Sequence, residues 1–163
     1  MTTIRHALPE EAEALATLHV RTWQEAYAGL MPDDYLRSLT PSERLSMWER
    51  ILGSERVAVF VAELDGELIG FSCGGTSNDE DAEPTTGEMW SIYLLREFWG
   101  KAIGKELHDT LLAHFRGWGF QKATLWVLES NDRTRRWYER QGWEHDGSQK
   151  TAELWGTTIS EEI

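Results

Sequence analysis

Near the middle of the chain the apolar, β-branched run Val57-Ala58-Val59-Phe60-Val61-Ala62 stands two residues before Asp65-Gly66. The run is too short for a core helix, and Asp-Gly is the strongest short signal for a hairpin turn. Residues 68–75 then return as the partner strand. A central antiparallel hairpin commits the chain to a sheet, and the segments on either side must supply the layers that cover it.

Upstream, residues 2–8 alternate weakly, as a short strand does. Pro9-Glu10-Glu11 opens a helix, because proline is tolerated at the first helical position and acids suit the positive end of the dipole. Leu15, Leu18, Thr22 and Ala26 recur along it at helical spacing, and Gly29 ends it. Met31-Pro32-Asp33-Asp34 begins a second short turn or helix. Thr40-Pro41-Ser42-Glu43 has the form of a capping box; its helix would bury Leu45, Trp48, Ile51 and Leu52 and stop at Gly53.

Downstream, the polar, acidic residues 76–87 are expected as an exposed loop and 89–95 as a third strand. From Gly100 an amphipathic helix carries Ile103, Leu107, Leu111, Phe115 and Trp118 on one face and closes at Gly119. Residues 123–128 form a fourth strand, 132–141 a helix ended by Gly142, and 143–159 two strands around a turn at Gly147. No repeat or linker interrupts this order. The expectation is one α/β domain over residues 1–163, a central mixed, mostly antiparallel sheet flanked by about four helices.

Composition narrows the function. With 163 residues the chain has the size of one domain. Its 16 basic and 28 acidic residues leave a net charge of −12, which argues against a nucleic-acid or anionic-membrane binder, since both need a basic face. Cys73 is the one cysteine, so neither an intrachain disulfide nor a cysteine-rich zinc site can form. A lone cysteine fits a reducing cytoplasm, the N-terminus lacks the apolar stretch of a signal peptide, and no run approaches about eighteen apolar residues. The expected location is therefore cytoplasmic. Nine tryptophans supply buried area quickly, so a real core is expected. His19, His108, His114 and His145 lack metal-ligand spacing, and no metal is expected. Cys73, in an inner strand, reads as an inert buried thiol. No Gly-x-Ser-x-Gly or Walker loop occurs.

The junction Leu94-Leu95-Arg96-Glu97-Phe98-Trp99-Gly100-Lys101-Ala102-Ile103-Gly104-Lys105 is the most informative segment. Small residues at 100, 102 and 104 let a ligand approach the backbone. First-turn N–H groups lack acceptors and sit at the positive dipole end, and Lys101 and Lys105 add charge; together these suit a pyrophosphate. Close packing of helix on sheet would use the same small residues.

The segment resembles the acyl-CoA-binding loop of the GNAT superfamily of N-acetyltransferases, whose pattern is Gln/Arg-x-x-Gly-x-Gly/Ala. Trp99 replaces the Gln or Arg, Ala102 replaces the first Gly, where a positive φ is cheap only for glycine, and Gly104 matches. The stretch from Asn131 to Trp143, with Trp137-Tyr138-Glu139 and Gly142-Trp143, is similar to the family segment that follows the fourth strand. Trp23-Gln24-Glu25-Ala26-Tyr27-Ala28-Gly29-Leu30-Met31-Pro32 is similar to one bacterial branch. The element order agrees over nearly the whole chain.

The resemblance implies acetyl transfer from acetyl-CoA to a primary amine by direct attack. It makes Tyr138 the general acid for the departing CoA thiolate, which a phenol of pKa near 10 can protonate. The alternative for Tyr138 is a core residue beside Trp137. Glu88 stands where some members hold the general base; the alternative is a solvated acid ending the acidic loop. Main-chain groups of Ile92, Tyr93 and Leu94 are implied to pair with the pantetheine arm like an added strand. Trp99, Gly100, Lys101, Ala102, Ile103, Gly104 and Lys105 would surround the pyrophosphate. Asn131 would bind the cofactor or else cap its helix. Arg133, Arg135, Arg136 and Arg140 either meet nucleotide phosphates or form a solvated face.

Trp23, Tyr27 and Trp90 are candidate walls for the acceptor, each equally able to be core, with entry between the N-terminal helices and the fifth and sixth strands. A small amine or a peptide N-terminus would fit. The acidic stretch 79–88 favours a cationic acceptor by its field alone. The competing reading is a non-catalytic acyl-CoA-binding or interaction domain with an altered pyrophosphate loop. A homodimer is compatible with the sequence.

Overall fold

Asp65 (φ 51°) and Gly66 (φ 82°) make the two-residue turn that joins β2 (Val57–Leu64) to β3 (Glu67–Thr76). Positive φ at both positions gives a turn whose twist matches that of the paired strands, which is why Asp-Gly marks it. In the computed structural model, which describes residues 1–79, 82–152 and 156–163, the other strands assemble outward from this hairpin. β1 (Thr2–His6) lies antiparallel to β2, and β4 (Thr86–Leu94) antiparallel to β3. β5 (Lys122–Leu128) runs parallel to β4; β6 (Glu144–Ala152) and β7 (Gly156–Glu162) complete a seven-stranded mixed sheet in the order β1-β2-β3-β4-β5-β7-β6.

Helices cover both faces. On one lie α1 (Ala12–Ala26), the short α2 (Asp33–Ser38) and α3 (Ser42–Leu52); the other carries α4 (Ile103–Gly117), the crossover from β4 to β5. α5 (Asp132–Arg140) follows β5. Side chains of β3 alternate between the layers. Phe71 meets Trp48 of α3 and His19 of α1, at centroid distances of 5.1 and 5.6 Å, while Ser72 Oγ donates to the Leu107 carbonyl of α4 at 3.1 Å. Each layer holds a fully buried tryptophan bonded to a histidine: Trp48 Nε1 donates to His19 Nδ1 (3.2 Å), and Trp143 Nε1 donates to His108 Nε2 (2.9 Å).

Between Cys73 and Gly74 the β3–β4 register slips by one, so that Gly74 opposes Met89, Cys73 opposes Ser91, and Trp90 is the extra residue of a bulge. Gly74 is needed there, because a Cβ would stand 2.3 Å from the Glu88 carbonyl oxygen. Strand periodicity would send Glu88 and Tyr93, five residues apart, to opposite faces. With the bulge they share one face, opposite Gly75 and Phe71 of the unbroken β3.

Several expectations are corrected. β4 begins at Thr86, inside the segment expected as loop. Gly147 is not the turn between the last strands. It lies within β6 at a register irregularity, with φ 92°, and the connection falls between Ala152 and Gly156, outside the described residues. The capping box at Thr40 does not form: α3 starts after Pro41 with no side-chain cap, and Thr40 Oγ1 meets Ser42 Oγ at 3.2 Å instead. The reciprocal Glu of a box appears before α1, where Leu8 N–H donates to Glu11 Oε1 at 2.7 Å. Trp118 lies just past α4 and is exposed. No helix among the described residues is long and apolar enough to cross a membrane.

Candidate active site

β4 and β5 pair only through Thr86–Glu88 and Lys122–Thr124, after which they part. Beyond that point β5 continues against β7, and β4 is paired on its β3 side alone. The parallel strands thus open a wedge at their carboxyl ends, where the loop into α4 and the start of α5 also lie. Such a crevice is where open α/β sheets bind ligands.

Ile92, Tyr93 and Leu94 form the β4 side of the wedge. The Leu94 carbonyl already accepts the Trp99 indole N–H at 2.8 Å, so one of the groups expected to pair with a ligand is partly used by the chain itself. In the loop, Gly100 and Ala102 both have positive φ, 80° and 66°, and α4 begins after Ala102. The Glu106 N–H is the donor that closes the first turn, onto Ala102 O at 3.1 Å. The earlier amides of α4 have no intrahelical acceptor. Gly104 faces α5: a Cβ there would lie 3.8 Å from the Trp137 ring.

Side chains around the loop are arranged differently from the simple expectation. Lys105 pairs with Asp109 one turn along α4, Ile103 is buried in the core, and Lys101 Nζ sits 5.7 Å from the Phe98 ring centroid. Trp99 is flanked by two guanidiniums, with the Cζ of Arg133 at 3.8 Å and that of Arg96 at 5.6 Å from its centroid. Partial burial and the charges of Arg96 and Arg140 lower the Arg133 pKa. Of the α5 arginines, Arg133, Arg136 and Arg140 are exposed, Arg133 while lying on Trp99, and half-buried Arg135 donates to the Glu129 carbonyl at 2.9 Å. Asn131 caps α5, its Oδ1 accepting from Thr134 N–H at 3.3 Å, which leaves its amide N–H groups as donors.

Glu88 is buried rather than solvated. Its Oε1 accepts from Ser77 Oγ (3.2 Å) and from the Asn78 N–H (3.1 Å), contacts that hold a carboxylate in place inside the sheet. Tyr138 is also buried, between the rings of Trp137 and Trp143 at 5.3 and 5.8 Å. Trp90 lies over Gly75, its Nε1 buried with no hydrogen-bond partner among the described residues.

On the α1 side of the wedge, Tyr27 Oη and Tyr93 Oη are 2.7 Å apart, and the Trp23 ring lies 4.9 Å from Tyr27 and 6.2 Å from Tyr93. Burial pushes the Tyr93 phenol well up, and the neighbouring Tyr27 and Tyr138 phenols push it further; burial also raises Tyr27. Both phenols are neutral hydrogen-bond groups at neutral pH. Trp23 and Tyr27 thus come together with the β4 face that bears Glu88. Tyr93 enters the sequence expectation only through its main chain, and His19 and Arg44, which adjoin Trp23, carry no local signal of a site. Alternation along β4 would have flagged Tyr93 had the bulge been known.

The model of the acetyltransferase (GNAT) family matches residues 12–143. Over 136 residues the chain is 34% identical to the uncharacterized N-acetyltransferase YuaI of Bacillus subtilis, which spans 80% of this chain and 74% of that protein. Among solved structures, the PaiA N-acetyltransferase of Thermoplasma acidophilum in complex with coenzyme A superimposes with a TM-score of 0.77 at 20% identity, over 100% of this chain and 99% of that one. YncA of Salmonella typhimurium with its cofactor acetyl-CoA gives 0.76 at 20% identity, over 100% and 93%.

Proposed function

The chain belongs to the acetyltransferase (GNAT) family, and from that premise we propose that it transfers an acetyl group from acetyl-CoA to a primary amine by direct attack. The observation that carries the reading is the parting of β4 from β5 directly after Glu88, at the level where the α4 loop and α5 converge. Cofactor binding is supported by the loop: Gly100 and Ala102 turn the chain at positive φ directly into the start of α4, whose first amides lack intrahelical acceptors, as anion sites at helix starts do. The residues that would hold it are Ile92–Leu94 along the pantetheine arm, Trp99–Lys105 at the pyrophosphate and the Asn131 amide.

The bound thioester supplies the acyl group. Glu88, fixed by Ser77 and the Asn78 N–H, takes the proton that an ammonium must lose before its nitrogen lone pair can attack. Main-chain donors of β4 polarise the carbonyl under attack. As the carbon–nitrogen bond forms and the carbon–sulfur bond breaks, the Tyr138 hydroxyl gives its proton to the leaving sulfur. Trp23, Tyr27 and Trp90 wall the acceptor. The wedge aligns the two reactants, and proximity supplies much of the acceleration. The reading takes residues 1–163 as one domain acting in the cytoplasm on a soluble amine or a peptide N-terminus.

Thermal-shift and calorimetric titration with acetyl-CoA, followed by thiol-release assays over an amine panel, test it. Saturable binding and amine-dependent thiol release are expected, with Tyr138→Phe lowering kcat tenfold or more and leaving CoA affinity unchanged. Saturable binding without thiol release from any amine would favour a non-catalytic acyl-CoA-binding domain.

A further inference from the structure

Trp23 has a charged neighbour besides its aromatic ones. The guanidinium of Arg44, on α3, lies with its Cζ 5.4 Å from the Trp23 ring centroid. Arg44 is half-buried, its Nε is shut off from solvent without a hydrogen-bond partner, and no carboxylate pairs with it among the described residues. What sets Arg44 apart from exposed cations such as Arg50 and Arg56, unpaired among the described residues, is that it is half-buried. The other half-buried arginines among the described residues have acceptors: Arg5 grips Glu11 and Glu63, and Arg135 donates to the Glu129 carbonyl.

A guanidinium partly removed from water without an anion is destabilising, and an unsatisfied buried donor needs an explanation. His19, whose ring the Arg44 charge opposes, does not offer one. Its Nδ1 accepts from Trp48, and burial together with the Arg44 charge keeps the ring neutral. The Trp23 ring holds the guanidinium by a cation–π contact, and a guanidinium binds a carboxylate through its planar N–H groups. From Arg44 the aromatic surface runs over Trp23 to Tyr27 and Tyr93, on the face of β4 that bears Glu88.

We propose that Arg44 binds a carboxylate of the acceptor, so that the substrate is an amine that also carries a carboxylate, with its nitrogen directed along Trp23 toward β4. The inference rests on the acyltransferase reading above. It runs against the overall charge, which alone favours a cationic acceptor, because a single unpaired cation at short range outweighs distant screened acids.

The test uses sets of amines differing in one group: an amino acid, its amide and its decarboxylated amine, assayed by thiol release with the full chain. The wild type is expected to show a kcat/KM at least tenfold higher for the carboxylate member. Arg44→Gln should erase that preference by raising KM about tenfold with kcat within twofold, and Arg44→Lys should retain part of it. CoA affinity within twofold of wild type shows that each variant is folded. Thiol release that is equal across each set, or a preference that survives Arg44→Gln, overturns the Arg44 inference and leaves the acyltransferase reading standing. CoA binding with no thiol release from any amine overturns both.

Discussion

Arg133 of α5 lies with its guanidinium carbon 3.8 Å from the centroid of the Trp99 indole, and that indole is in turn tied to the Leu94 carbonyl through its N–H. The side chain that departs from the family pattern at position 99 is thus held by its N–H and by a cation over its ring, and it brings that cation from another helix to the loop. Arg133 already feels the charges of Arg96 and Arg140. A phosphate placed there would relieve that repulsion.

Arg133→Ala is therefore expected to weaken CoA binding about tenfold, or ~1.4 kcal/mol, as the loss of one charge-assisted contact. Titration calorimetry at low and high salt checks it, and the deficit should shrink as salt rises. Equal affinities at low salt would place the cation away from the phosphates.

Ala102 holds φ 66° immediately before α4. A left-handed L-residue costs roughly 1–2 kcal/mol, and glycine gives back about half of that relief through its greater unfolded-chain entropy. Ala102→Gly should raise stability by about 0.5–1 kcal/mol and Tm by about 2 °C, read by thermal unfolding without ligand. A lower Tm would mean that the Ala102 methyl makes a stabilising contact larger than the strain.

His19 is held neutral by burial, its pKa pushed down to about 3. The unfolded chain takes up this proton below about pH 6.5 and the folded chain does not, so stability must fall as pH falls between about 6.5 and 3. The slope from one such group is about 1.4 kcal/mol per pH unit. His108, also lowered chiefly by burial, acts in the same direction. His19→Gln keeps an acceptor for the Trp48 indole and removes the titration. Urea unfolding at pH 7 and pH 5 should show a shallower loss in the variant, and identical slopes would contradict the assignment.

Cys73 is 2% exposed, and burial pushes its thiol up to about 12. An aromatic disulfide reagent at pH 8 should leave the native protein unlabelled and modify one thiol per chain in denaturant. Thiol release from CoA can then be followed with the same reagent without a background from the enzyme. Rapid native labelling would refute the burial.

Gly74 makes room for the bulge on β4, since a Cβ would approach the Glu88 carbonyl oxygen to 2.3 Å. Gly74→Ala should cost more than about 2 kcal/mol in urea unfolding, as overpacking against backbone does. Any folded fraction should lose kcat before CoA affinity, because the shift displaces Glu88. Wild-type stability and kcat would show that the bulge tolerates a methyl group.

Much of the architecture was legible in the chain. The hairpin at Asp65-Gly66 and the helix from Ile103 follow from turn chemistry and apolar spacing, which act within a few residues. The turn near Gly147 and the cap at Thr40 were misplaced for the same reason. A glycine marks positive φ but not whether that φ serves a turn or an irregular strand, and Pro41 and Ser42 redirected the Thr40 hydroxyl. At the site, residue types at Glu88, Tyr138 and the loop were visible as candidates, whereas Tyr93 and Arg44 gave no local sign of their neighbours.

The order of elements, the hairpin and the small-residue loop before α4 are written in the chain's local patterns, because each depends on short-range periodicity and backbone preference, and the motifs at 99–104 and 131–143 carry the resemblance to the family. The folded arrangement is what puts Glu88 and Tyr93 on one face, Tyr27 against Tyr93 across 66 positions, Arg133 on Trp99, and Arg44 beside Trp23 without a carboxylate among the described residues. A one-residue bulge inverts the strand alternation, and contacts between distant segments are fixed by how layers pack on the sheet, which no local pattern encodes.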